Sequence, residues 1–321
     1  MITKNTQLGI FAPAKVNLFL HILGKRDDGY HDLVTWMQKI DLSDTIELRL
    51  IERGGVEFSC DDKSLPVNSD NLAVRAAESF LKKSVVLNTN GIAIHLKKKI
   101  PVAAGLGGGS SDAGAVLRGL NRLSGYEFTE AALVEISKPL GADVPFFAIE
   151  DNAVIAGGIG DELHVVDSLD NCTFVVVNPG FFVSTKWVFE NLMLTGEKNS
   201  SNITRFQKRN KVCPSLDEMH NDLECVTLVK YPEIQEMKEA LLAQGASKVL
   251  MSGSGPTVFG IFPDTRESIG SDFQNIADVL HTQYGNKVYI SRACTGASPS
   301  GKAPGFDPGI RRFDSCRPSH Q

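Results

Sequence analysis

The chain has 321 residues, 33 Lys+Arg against 38 Asp+Glu, 42% hydrophobic and 22% charged residues, enough for two domains at roughly 100–200 residues each and too apolar for wholesale disorder. A net charge of −5 gives no basic footprint for a nucleic-acid backbone, and no apolar run reaches the roughly 18–20 residues of a membrane helix. Met1–Asn5 lead into no signal-like stretch, so a cytoplasmic chain, monomeric or weakly homodimeric, is expected. The six cysteines form no Cys-x-x-Cys pair and read as reduced thiols. In chain order, Lys15–Leu23 consists of β-formers and Asp44–Leu50 alternates as a half-buried strand. Residues 71–83 carry apolar side chains at helical spacing behind Asp70, the expected N-cap. A strand at 92–96 follows, then helices at 111–123 and 130–138, the second capped by Thr129. Strands are expected at 153–157, 161–166 and 173–178, and the polar stretch 190–215 reads as an exposed connection. Pro232 opens a helix to residue 244 with Gly245 as its stop, followed by strands at 247–251, 257–262 and 286–291 around a helix at 265–281. This irregular mixture predicts an α+β fold in two parts, with units at 1–165 and 166–293. The Pro- and Gly-rich residues 294–321 read as a disordered tail.

The 29 glycines exceed the usual share of about 7%, and four of them lie within 105–109. The segment Pro101-Val-Ala-Ala-Gly105-Leu106-Gly107-Gly108-Gly109-Ser110-Ser111-Asp112 joins a predicted strand to a predicted helix. Such glycines let backbone N–H groups converge on a polyphosphate, with the positive helix end behind them. Asp112 would repel phosphate, so it either caps the helix or helps to hold a metal. The dinucleotide pattern G-x-G-x-x-G/A fails at Ser110. The P-loop pattern fails because Gly24-Lys25 and Gly301-Lys302 lack a following Ser or Thr, and no His-Arg-Asp or Asp-Phe-Gly of a protein kinase is present.

The stretch instead resembles the phosphate loop of the GHMP kinases, the superfamily of galactokinase, homoserine kinase, mevalonate kinase and phosphomevalonate kinase. The match sharpens with Ala12-Pro13-Ala14-Lys15-Val16-Asn17, Gly24–His31, Gly141-Ala142-Asp143-Val144-Pro145-Phe146-Phe147 and Met251-Ser252-Gly253-Ser254-Gly255-Pro256. Together these resemble the branch that phosphorylates a cytidine diphosphate-linked polyol in non-mevalonate isoprenoid synthesis. The resemblance implies a ribosomal protein S5 domain 2-like N-terminal domain, a ferredoxin-like C-terminal domain, and the cofactors ATP and Mg²⁺, with no metal ligand set specified. It implies Lys15 and Asp143 as the catalytic pair, since a carboxylate framed by apolar residues needs a partner. It implies a nucleotide site at Pro101, Gly105–Asp112 and Asn71, although Asn71 serves equally well beside its own helix cap. It implies a substrate pocket of Tyr30, His31 and Phe189, with Thr185, Asn17, Gly253 and Ser254 near the transferred group. Lys186 and Trp187 depart from the family pattern, and Asn17 is equally readable as a satisfied strand amide. A sister kinase for another alcohol, or a silent nucleotide-binding protein, are the competing readings.

Overall fold

The computed structural model describes residues 6–52, 54–193, 215–264, 271–285 and 287–294. The tail 295–321, most of the connection 190–215 and the start of the helix expected from 265 lie outside these residues. The first half runs β1 (Gln7–Lys25), β2 (His31–Ile51), β3 (Gly55–Cys60), α1 (Leu72–Lys83), β4 (Gly91–Lys97), α2 (Gly108–Leu123), α3 (Glu130–Ser137), α4 (Val144–Ala148), β5 (Ala153–Gly157) and β6 (Glu162–Val165). The second runs β7 (Cys172–Val177), α5 (Thr185–Glu190), α6 (Glu224–Lys230), α7 (Glu233–Ala243), β8 (Lys248–Met251), β9 (Val258–Pro263), α8 (Ser271–Tyr284) and β10 (Val288–Arg292).

β2 is the spine of a six-stranded sheet. β1 pairs with it antiparallel from Gln7↔Arg49 to Lys25↔His31, while its other edge takes β5 at Thr35–Gln38 and β4 at Thr45–Ile51. Both strands are far longer than local alternation predicts, because backbone pairing over this length outweighs the weak propensity of segments such as Gln7–Pro13. The second sheet has the order β10-β7-β9-β8 with every pair antiparallel. That is a ferredoxin-like arrangement, so the α+β reading holds, with α3 and the short strands close to their predicted places.

Two helix starts differ from expectation. Asn71, not Asp70, caps α1, its Oδ1 accepting the Ala73 N–H at 2.9 Å. α2 begins at Gly108 rather than 111, so half of the glycine cluster is helical. Glycine is a poor helix former by propensity, but a Cβ on Gly114 would stand 2.5 Å from the Phe147 backbone, where a side chain would not fit, and one on Gly108 would press on the Ile100 side chain at 3.1 Å.

The two sheets share one apolar seam. Val16, Leu18 and Trp36 of the first pack with Phe174, Val176, Phe259 and Ile261 of the second. Each buried aromatic or aliphatic side chain there is worth roughly 1.5–3 kcal/mol, so the seam outweighs surface ion pairs of about 0–1 kcal/mol in holding the halves together. The site described next lies where β1, the α2 entrance and the β8–β9 turn meet along this seam.

Candidate active site

The glycine loop is pinned at its entrance, crown and exit. At the entrance, buried Asp44 accepts the backbone N–H groups of Lys99 and Ile100 at 2.5 and 2.8 Å. At the crown, Lys15 N–H donates to the Leu106 carbonyl at 2.9 Å and the Ser252 hydroxyl to the Gly105 carbonyl at 2.9 Å. At the exit, the Ser111 hydroxyl donates to the Pro13 carbonyl at 2.6 Å. Gly107 is the N-cap of α2, in the left-handed region at φ 70°, and no side chain caps the helix. The first amide N–H groups of a 16-residue helix are therefore left for a ligand, and the helix end favours an anion.

Beside the loop stands Lys15, 4% exposed. Its Nζ donates to Asn17 Oδ1 at 2.6 Å and lies 3.6 Å from Asp143 Oδ2. Two-residue alternation along β1 puts Lys15 and Asn17 on one face, and the Asn17 amide donates in turn to Thr35 Oγ1 at 2.8 Å. Asn17 thus holds the ammonium in place from within the sheet. Asp143 precedes α4 and makes no helix-cap bond; its side chain is 34% exposed and faces the open site. The structure therefore brings a lysine and a carboxylate from distant parts of the chain together beside an uncapped helix N-terminus.

Asp112 caps nothing. Its Oδ2 accepts from Lys98 Nζ at 2.9 Å, and Lys98 also donates to Asp44 at 2.5 Å. Two buried carboxylates share one ammonium, and Asp112 Oδ1 has no hydrogen-bond partner. Neither Lys98 nor Asp44 was singled out in the sequence. Lys98 sits in the run Lys97-Lys98-Lys99, which reads as a solvated strand end, and only pairing geometry turns it inward. Burial pushes the Asp112 carboxyl up to about 7, with Lys98 opposing the rise and Asp44 adding to it.

An acid whose folded pKa lies above its unfolded value contributes most to stability below about pH 4, and that contribution is lost as pH rises toward the folded pKa. Asp112→Asn should therefore lose less melting temperature than wild type between pH 5 and pH 8. Thermal melts at the two values check this, and parallel profiles would show that Asp112 does not titrate in the folded state.

The turn between β8 and β9 closes the site from the other half of the chain. A Cβ built on Gly253 would stand 3.4 Å from the Gly105 carbonyl oxygen and 3.6 Å from Lys15 Nζ. Ser254 Oγ lies 2.7 Å from Thr185 Oγ1 at the start of α5, a helix absent from the sequence reading because it is only six residues long. Phe189 near the end of α5 packs on His31, ring centroids 5.1 Å apart. Burial, then Lys25, lowers the His31 pKa, which favours a neutral imidazole with one donor and one acceptor nitrogen. Tyr30 is 61% exposed. Asn71 is engaged twice, in its helix cap and with the Pro66 carbonyl at 3.0 Å. Lys186 projects to solvent beside Glu190, 3.8 Å away, and Trp187 lies under Lys230, whose Nζ is 3.6 Å from the ring centroid. The two residues that depart from the family pattern are thus occupied within their own half of the chain.

Comparison with known proteins gives the family. Residues 71–151 match the GHMP kinases N terminal domain and residues 207–277 the GHMP kinases C terminal domain. A 4-diphosphocytidyl-2-C-methyl-D-erythritol kinase of Desulfotalea psychrophila is 50% identical over 289 residues, 90% of this chain and 96% of that relative. Its counterpart from Geobacter sulfurreducens is 50% identical over 259 residues, 80% and 91% of the two chains. A crystal structure of 4-(cytidine 5'-diphospho)-2C-methyl-D-erythritol kinase, 31% identical, superposes with a TM-score of 0.71 over 89% of this chain and 99% of that one. Homoserine kinase from Cytophaga hutchinsonii, 23% identical with a TM-score of 0.67 over 89% and 95% of the chains, shares the fold. With the first of these relatives matching over 90% of its length, the chain belongs to the 4-diphosphocytidyl-2-C-methyl-D-erythritol kinase family of the GHMP kinases.

Proposed function

We propose that the chain transfers the γ-phosphoryl group of ATP to the 2-hydroxyl of 4-diphosphocytidyl-2-C-methyl-D-erythritol, in the cytoplasm, with residues 1–165 supplying the nucleotide site and 166–293 completing the substrate site. The observation that carries the reading is the Lys15–Asp143 contact of 3.6 Å next to the uncapped N-terminus of α2. Phosphoryl transfer needs positioning and charge stabilisation more than covalent chemistry. Asp143 takes the proton of the acceptor hydroxyl while the hydroxyl oxygen bonds to the γ-phosphorus; the bond from that phosphorus to the β–γ bridging oxygen breaks, and ADP leaves. The Lys15 ammonium, held by Asn17, screens the carboxylate from the phosphoryl oxygens and steadies their charge. The backbone N–H groups of 105–110 hold the triphosphate, that of Ser111 being spent on the Gly107 carbonyl at 2.8 Å. Mg²⁺ accompanying ATP supplies charge neutralisation, and Asp112, with its buried Oδ1 unpartnered, is the residue that would contribute to holding it.

Substrate identity rests on the His31–Phe189 contact and on the relatives. Stacking of a base on an aromatic ring is worth roughly 1–3 kcal/mol by alanine substitution. Phe189→Ala should therefore lower kcat/KM for the cytidylated alcohol by about 5- to 150-fold, with little change in KM for ATP. An ADP-release assay over a panel of alcohols, with CMP and CDP as inhibitors, checks both points. Turnover of another alcohol in preference, or competition of CMP against ATP alone, would replace this substrate with that of a sister kinase.

A further inference from the structure

Asn221 lies in the short loop before α6, far in sequence from every motif considered so far, and is fully buried. Its amide nitrogen donates to two carbonyls of the glycine turn, those of Met251 at 2.7 Å and Gly253 at 2.8 Å. Its Oδ1 accepts the Leu223 N–H at 2.9 Å. Both donors of the amide are thus spent on a single turn, and both carbonyls lie on buried residues, where an unpaired acceptor costs about 1–3 kcal/mol.

The residues on either side of Asn221 are stitched to β1. Leu20 N–H donates to the His220 carbonyl at 2.7 Å and Asp222 N–H to the Leu20 carbonyl at 2.9 Å. Ile22 N–H donates to Asp222 Oδ2 at 2.7 Å. Two histidines reinforce this splice: Asp222 Oδ1 lies 3.0 Å from His220 Nε2 and 3.5 Å from His21 Nδ1. A continuous hydrogen-bonded path therefore leads from β1, which carries Lys15 and Asn17, through Asn221 to the turn whose Gly253 abuts Lys15 and Gly105.

We propose that Asn221 is a positioning residue for phosphoryl transfer, its amide fixing the height and tilt of the 251–254 turn above Lys15 and the phosphate loop. The proposal rests on the kinase reading above and adds to it. A serine or threonine has too few donors to bind both carbonyls, and an aspartate presents oxygen to oxygen. The side chain touches neither nucleotide nor acceptor; it acts through Gly253 and its neighbours. A misplacement of about 1 Å at such a remove can cost 10²-fold in rate.

The test compares Asn221→Asp with Leu280→Ala, a core truncation in α8 away from the site. ADP release is measured with wild type and both variants below their melting transitions, using whichever alcohol wild type phosphorylates. Asn221→Asp should lose at least about tenfold in kcat, with KM for ATP within about threefold, while Leu280→Ala retains wild-type kcat. If Asn221→Asp does not fold, Asn221→Ser, which keeps one donor, should show the same split with a smaller loss. A kcat within twofold of wild type in the folded Asn221 variant, or an equal loss in Leu280→Ala, overturns the positioning role. Absence of turnover in wild type with every alcohol overturns the kinase reading itself, so the two failures are told apart.

Discussion

Asp143→Asn should lower kcat by at least about 10²-fold, the low end for loss of a general base, while the affinity for ATP is retained. The substitution preserves shape and removes the acceptor charge. Asp143 makes no helix-cap bond and is in contact with Lys15, so little of the fold depends on it. Melting temperature should hold within a few degrees. The measurement is single-turnover ADP formation alongside nucleotide binding by calorimetry. Near-normal turnover would take Asp143 out of the catalytic step and leave Lys15 to act on the phosphoryl group alone.

The second large effect is expected at Gly105. Its φ is +79°, and a Cβ there would stand 2.1 Å from the Ser252 carbonyl oxygen. Gly105→Ala therefore carries both a left-handed backbone cost of roughly 1–2 kcal/mol and a clash that only separation of the phosphate loop from the β8–β9 turn can relieve. Turnover should fall by about 10²-fold, from a displacement on the order of 1 Å, together with a clear loss of melting temperature. Gly125 provides the control: its φ is +78° and nothing lies within 4 Å of its Cβ position. Gly125→Ala should show the backbone cost alone and leave kcat unchanged. Equal activity in the two variants would mean that the loop and turn can part without consequence.

Much of the chemistry is local in character, and for that reason it is readable. Gly105, Gly107 and Gly108 announce a close backbone approach through residue type alone, and Lys15 and Asn17 share a face because strands alternate. Helices α1, α3 and α7 carry their apolar spacing and start signals within a dozen residues. The segments that were missed are those whose structure is imposed from outside. β1 extends back to Gln7 only because β2 is there to pair with it. α4, α5 and α6, of 5, 6 and 7 residues, are too short for periodicity to register and are held by packing.

The same division runs through the site. From its residues alone, the chain determines that a glycine-rich loop leads into a helix, that a lysine and an aspartate lie in motifs resembling those of the family, and that the fold is α+β in two parts. Which groups meet was decided only by the tertiary structure. Asp112 turned from helix cap to partner of Lys98 because Asp44, 68 positions earlier, holds the same ammonium. His31 meets the Phe189 ring because α5 packs there. Asn221 reaches carbonyls of the glycine turn 30 and 32 residues further along the chain. An amide, a carboxylate or an imidazole has the same local signature wherever it stands. Its partner is chosen by which backbones the apolar seam between the sheets brings within hydrogen-bonding distance, and that choice is not written in any window of the sequence.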